Sequence, residues 1–285
     1  MDLKIAVIPN LTRSKAKEIT MAVLRELEKN DIQYCFSENI KDELTEIPDS
    51  AFCKAEEFIK SSDMVISVGG DGTMLRSAKL AADENKNVLG VNAGRLAYLC
   101  GLDSDELQLL SCLKSGAYSV QKRMMLSAEI YRNNEKVYSA RCLNDAVLSR
   151  ATGLRLIDLS VKTGGRDIAD YLADGAIFAT PTGSTAYSMS AGGSIVEPTL
   201  EAILLTPICP HSLAVRPYIF SGDAEFEVTL KNEETKEVFL SCDGGEAVRI
   251  GGNDVVRIKK SDIKASFISI KTDNFIDVLN KKLER

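Results

Sequence analysis

The stretch Met64-Val65-Ile66-Ser67-Val68 runs without interruption into Gly69-Gly70-Asp71-Gly72-Thr73, and few architectures accept such a junction. An apolar run of this length reads as a buried strand, and the glycines that stop it permit a sharp turn into a helix over 73–82. The same rhythm recurs on both sides. Leu3 to Ile8 predicts a first strand, and Ser14 can cap a helix whose Ile19, Val23 and Leu27 share one face. A strand over Ile32 to Phe36, a helix over Ala51 to Lys60, a strand over Val88 to Val91 and a helix over Asp105 to Lys114 continue the alternation. Strands separated by helices pair in parallel and carry the helices on their faces.

After Tyr118 the texture changes to short alternating segments, such as Ala128 to Tyr131 and Val137 to Leu148, punctuated by Asn133-Asn134, Thr163-Gly164-Gly165 and Gly251-Gly252-Asn253-Asp254. These are hairpin signals. Near the end Phe275, Ile276, Leu279 and Leu283 have helical spacing, with Asp273 placed to cap them. The expected fold is an α/β N-terminal domain with a parallel sheet over residues 1–120, joined by the C-terminal helix 273–285, and a β-rich domain over 121–272. At 285 residues the chain has the length for two domains, taking about 150 residues for each.

Composition excludes several classes. A net charge of −6 offers no basic footprint for nucleic acid. The N-terminal residues lack the features of a signal peptide, and no apolar run approaches the ~20 residues of a membrane span. Seven scattered cysteines, none two residues apart in zinc-knuckle fashion, read as reduced thiols of a cytoplasmic protein. His211 is the only histidine, so a His-rich metal site is ruled out and no dedicated metal ligands are expected. Beside Pro210 it reads as structural, and Asp243 in Asp243-Gly244-Gly245-Glu246 reads as a turn residue.

The chemistry is expected at the strand ends. Ligands of open α/β sheets bind at the carboxyl ends of strands, and Gly69, Gly70 and Gly72 let a phosphate approach backbone amides at a helix start. A carboxylate there, Asp71, repels phosphate unless it binds Mg²⁺ or accepts a proton from an attacking hydroxyl. With no Gly-Lys dipeptide there is no Walker A loop, and Pro9-Asn10 after the first strand replaces the Rossmann glycine turn. A second loop, Thr180-Pro181-Thr182-Gly183-Ser184-Thr185-Ala186-Tyr187-Ser188-Met189-Ser190, is dense in hydroxyls and follows another apolar strand, with Tyr187 available to a flat ring.

Together Gly69-Gly70-Asp71-Gly72-Thr73 and Thr180 to Tyr187 resemble the NAD kinase family. Gly90-Val91-Asn92-Ala93-Gly94-Arg95-Leu96, Leu143-Asn144-Asp145 and Thr206 to Leu213 with Arg216-Pro217 agree in order and separation. The first block is shared with diacylglycerol kinases, sphingosine kinases and phosphofructokinases; the second is far more specific. The resemblance implies phosphorylation of the 2′-hydroxyl of the adenosine ribose of NAD by ATP or polyphosphate. Asp71 matches the catalytic base, and Gly69, Gly70, Gly72 and Thr73 match the ATP-phosphate loop. Asn144 and Asp145 match a pair holding the adenosine part of NAD, with Asp145 one methylene shorter than the Glu of most members. Asp174 matches a carboxylate near the nicotinamide end, and Thr185, Ala186, Tyr187 and Ser190 match residues lining the dinucleotide. Mg²⁺ or another divalent cation would accompany ATP, and the assembly would be a homodimer or homotetramer without nucleic-acid or membrane partners. The competing readings are a lipid kinase and a silent NAD-binding module.

Overall fold

The computed structural model describes residues 3–12, 14–94, 97–151, 156–212, 214–231, 237–272 and 275–283. Arg95, Leu96, Leu213 and the capping residue expected at Asp273 lie outside the described residues, as does the side chain of Ser14. Two units divide the chain: residues 1–122 with 265–285, and residues 123–264.

In the first unit the alternation reads β1 Lys4–Pro9, α1 Ser14–Lys29, β2 Gln33–Ser37, β3 Phe52–Cys53, β4 Met64–Gly69, α2 Asp71–Asp83, β5 Asn87–Asn92, β6 Leu102–Asp103 and α3 Ser111–Ser115. The strands lie in the order β3-β2-β1-β4-β5, all parallel. β4 lies between β1 and β5 with every residue buried, as its apolar sequence requires. Val23 and Leu27 of α1 are fully buried against Ile5, Ile66 and Val68 of the sheet. α2 turns small residues inward, Ser77, Ala78 and Ala81, and the Ser77 hydroxyl meets that of Ser67 at 2.9 Å, satisfying both buried groups.

Two helices expected from the sequence do not form as such. Over Ala51 to Lys60 the chain forms β3 and then turns, because Phe52 and Cys53 pair with Phe36 and Ser37 and the Phe36 and Phe52 rings meet 5.9 Å apart. Pairing and burial outweigh a weak local helical preference. Over Asp105 to Lys114 a 3₁₀ turn, Leu107–Leu110, precedes the short α3, which ends at Gly116 with φ +72°.

The second unit contains most of β7 Ser119–Arg132, then β8 Glu135–Cys142, β9 Asp145–Arg150, β10 Ile157–Thr163, β11 Arg166–Ala173, β12 Gly175–Ala179 and the one-turn α4 Tyr187–Ser190. β13 Ala202–Ile208, β14 Tyr218–Ser221, β15 Phe226–Leu230, β16 Val238–Cys242 and β17 Val248–Ile250 follow. β18 Val255–Ser269 starts in this unit and ends in the first, where Ser266 and Phe267 pair in parallel with β5 before α5 Phe275–Leu283. One antiparallel sheet has the order β14-β13-β12-β9-β16-β17, while β11, β10, β15 and β18 form another antiparallel series and β7 pairs with β8. Asn133 and Asn134, at φ +50° and +66°, make the β7–β8 turn, the left-handed pair that an Asn-Asn hairpin favours. Among the described residues no helix is long and apolar enough to cross a membrane.

The core of this unit interleaves β9, β12, β13 and β15. Fully buried Phe178 lies 5.2 Å from Phe226, which meets Phe220 at 5.1 Å. Phe178→Ala is expected to cost about 3–5 kcal/mol of stability, read as a lower urea midpoint; a cost under about 1 kcal/mol would mean the aromatic cluster is not a packing centre.

Candidate functional site

β4 delivers its glycines to the head of α2. Gly70 precedes the helix without a side-chain cap, and the first helical bond runs from Met74 N–H to the Gly70 carbonyl at 3.0 Å. The earliest amides of α2 thus have no intrahelical partner. A Cβ at Gly69 would lie 2.5 Å from the Thr73 hydroxyl, so only glycine lets Thr73 fold back over the loop, whereas the space beside Gly72 is open. Asn10 Nδ2 donates to Thr73 Oγ1 at 3.0 Å and fixes it. Beside this loop is a cavity of about 390 Å³ at the carboxyl ends of β1 and β4; Asn10, Thr12, Gly70, Gly72, Thr73 and Arg76 line it, with Glu43 on its wall.

Asp71, half-buried as the first residue of α2, directs its carboxylate to the segment after β5. Oδ2 accepts from Tyr98 N–H and Oδ1 from Leu99 N–H, both at 2.8 Å. The acid therefore pins 98–99 to the helix start, and each oxygen keeps a second lone-pair direction for another donor.

In the second unit the Asn144-Asp145 pair meets the hydroxyl-rich loop directly. Thr180 N–H donates to the Asn144 carbonyl at 2.8 Å, and Thr180 Oγ1 both donates to the Leu143 carbonyl at 2.6 Å and accepts from Gly183 N–H at 3.0 Å. Gly183 packs so tightly that a Cβ there would sit 2.1 Å from the Asn144 oxygen. Ser184 and Ser188 secure the rest of the loop through the Val196 backbone and the Thr206 hydroxyl. Within this loop the buried Thr182 Oγ1 has no hydrogen-bond partner among the described residues. Thr185 and Ala186 are half-buried, while Tyr187 and Ser190 are exposed.

Asp145 is only 5% exposed, and its carboxyl is pushed up to about 7, first by burial and then by the like charge of Asp243. Asp243 is a residue whose sequence reading stopped at a turn. It does occupy one, with φ +52° beside Gly244 at +66°, and Gly245 N–H closes the turn on the Cys242 carbonyl at 3.0 Å. Its carboxylate also accepts three consecutive amides, Leu143, Asn144 and Asp145, at 2.9, 2.7 and 3.1 Å. The Asp-Gly signature reveals the turn; nothing in the sequence says where the carboxylate aims.

Asp174 is set apart from this group. Asp145 pairs with Ala179 at one end of the β9–β12 ladder and Ser149 with Gly175 at the other, which puts Asp174, one residue beyond Gly175, ~17 Å away along the strands. There Arg150 Nε donates to its Oδ1 at 2.7 Å. His211 is exposed and engaged through its backbone, its N–H on the Leu172 carbonyl at 2.8 Å. Among the described residues no group of three or more His, Cys, Asp or Glu could hold a metal ion.

Comparison with known proteins covers both units. The ATP-NAD kinase N-terminal domain family matches residues 5–110 and the ATP-NAD kinase C-terminal domain family matches residues 143–270. A protein named NAD kinase from Thermoanaerobacter sp. (strain X514) is 37% identical over 281 residues, 98% of either chain, and one from Caldanaerobacter subterraneus subsp. tengcongensis is 38% identical over the same span. Yeast NADH kinase, solved with NADH, superposes with a TM-score of 0.88 at 24% identity over 99% of this chain and 88% of its own. An NAD kinase from Archaeoglobus fulgidus, solved with ATP, gives 0.74 at 24% identity over 100% and 99%. These two likenesses establish the fold.

The position of Asp145 has a measurable cost. Its folded-state pKa of about 7 exceeds that of an unfolded Asp, about 3.9. Between those values the folded chain keeps a proton the unfolded chain has lost, so stability from this group falls as pH rises and is lowest above 7. Asp145→Asn is expected to be the more stable protein at pH 8, by on the order of 1–4 kcal/mol, with the advantage shrinking toward pH 4. Urea midpoints at several pH values measure it; a difference independent of pH would contradict this reading.

Proposed function

The chain belongs to the NAD kinase family, and from that premise we propose that it transfers a phosphoryl group from ATP to the 2′-hydroxyl of the adenosine ribose of NAD, giving NADP. The observation that carries the reading is the cavity of about 390 Å³ at the head of α2, lined by Gly70, Gly72, Thr73 and Arg76, with open space beside Gly72 and Asp71 next to it in the chain. Helix-start amides without an intrahelical partner and a guanidinium attract a polyanionic donor. The same chemistry accommodates the terminal phosphates of ATP and of polyphosphate. A divalent cation would come with the donor substrate and would supply charge neutralisation to its phosphates.

Asp71 is the base of this reaction: a ribose hydroxyl donating to a remaining lone pair loses its proton there as the oxygen attacks. Its two amide bonds hold the carboxylate still, so orientation precedes chemistry. Gly69 and Gly70 keep the loop free of side chains. Asn144 and Asp145 hold the adenosine part of NAD, with Thr185, Ala186, Tyr187 and Ser190 lining the rest. Asp174, oriented by Arg150, serves the nicotinamide end. Assembly as a homodimer or homotetramer in the cytoplasm belongs to the same reading, and light scattering on the purified chain measures the oligomer.

The test is a coupled assay of the purified protein with NAD or NADH and with ATP or polyphosphate. NADP formation is expected, and its absence with every donor overturns the proposal. Asp71→Asn should lower kcat by about 10²- to 10⁴-fold; full turnover would remove the base role. Arg76→Met should raise KM for ATP about tenfold, the loss of one charged hydrogen bond, and leave KM for NAD unchanged; an unchanged ATP KM would take Arg76 out of the donor site.

A further inference from the structure

We propose that Asp243 is a positioning residue for NAD: through three backbone amides it fixes the dipeptide Asn144-Asp145 in the orientation that receives the adenosine ribose. The inference rests on the NAD kinase reading of that dipeptide. Oδ2 accepts from Leu143 N–H at 2.9 Å and Oδ1 from Asn144 N–H at 2.7 Å and Asp145 N–H at 3.1 Å, while Asp243 N–H donates back to the Asp145 carbonyl at 2.9 Å. Three successive amides converging on one carboxylate form an anion nest filled by the protein's own side chain. The segment so held links β8 to the start of β9; Thr180 takes its carbonyls, and Asp243 takes its amides.

The turn is built for this aim. Asp243 adopts φ +52°, a region that Asp and Asn tolerate better than other non-glycine residues, and Gly244 follows at +66°. Its carboxylate also brings negative charge toward Asp145, whose other neighbours in register are uncharged: Ala179 on β12, with Cys242 of β16 opposite Ala146. The nest thus sets the backbone of the pair and biases its charge together.

Asp243→Asn is the direct probe. Asn accepts the same left-handed turn and can keep one oxygen on Asn144 and Asp145, but its amide group then faces Leu143 N–H, donor against donor, and the charge is gone. The expected result is a KM for NAD raised about tenfold or more, from weakened charge-assisted bonds, with kcat within about threefold and KM for ATP unchanged. The ionisation of Asp145 seen in kcat/KM for NAD should move to lower pH, since a like charge has been removed; a merely structural defect would not move it. Asp243→Glu cannot restore the geometry. An unchanged NAD KM and pH profile overturn the inference. A parent protein that forms no NADP overturns the kinase reading first and this inference with it. Should the Asn variant not fold, hydrogen exchange on the parent decides: protected amides at 143–145 support the nest, and exchange at open-loop rates overturns it.

Discussion

The second unit depends on a polar knot where β8, β9, β12 and β16 end close together. Two carbonyls, Leu143 and Asn144, are taken by Thr180, and three amides of the same segment are taken by Asp243. Buried backbone groups must find partners, and here the partners come from two other elements, not from a ladder. That requirement forces four strand ends and the hydroxyl-rich loop into one place, and it leaves the Asn144 and Asp145 side chains, not their backbone, available for other work. Gly183 has no substitute because the Asn144 carbonyl occupies the space a side chain would take.

The first unit solves a different problem with similar economy. A central strand that is apolar from end to end must stop abruptly, and glycine at Gly69 and Gly70 stops it without filling the volume beyond. Thr73 folds over Gly69, Asn10 holds Thr73, and Asp71 ties the next loop to the helix start. The open side at Gly72 and the Arg76 guanidinium are then what the cavity presents. Rigid support from buried β4 and α2 gives this anion-attracting surface a fixed shape, which is what phosphoryl transfer asks of a protein.

The fold class was legible because periodicity and glycine placement act locally: the Met64–Val68 run, the α1 face at Val23 and Leu27, and the Asn-Asn and Gly-Gly turns each state their structure within a few residues. Where tertiary pairing decides, the sequence misleads. Phe52 and Cys53 form a strand because Phe36 lies alongside, 16 positions away, and no local pattern announces it. The loops of the candidate site were legible as unusual compositions, and family resemblance supplied their roles. Asp243 was not, since an Asp before Gly-Gly explains itself as a turn; only the fold shows its carboxylate reaching a segment about a hundred residues earlier. The wide separation of Asp174 from Asp145 was hidden for the same reason, because register is a property of paired strands and not of spacing along one chain.

The claim at the centre of this account is that the Asn144-Asp145 pair, held by Thr180 and Asp243, receives the adenosine ribose of NAD. A crystal structure of the chain with NAD bound tests it most directly. The account predicts ribose hydroxyls within hydrogen-bond distance of the Asn144 and Asp145 side chains, with the three amide bonds to Asp243 intact. A dinucleotide bound elsewhere, with its ribose touching neither side chain, would contradict it.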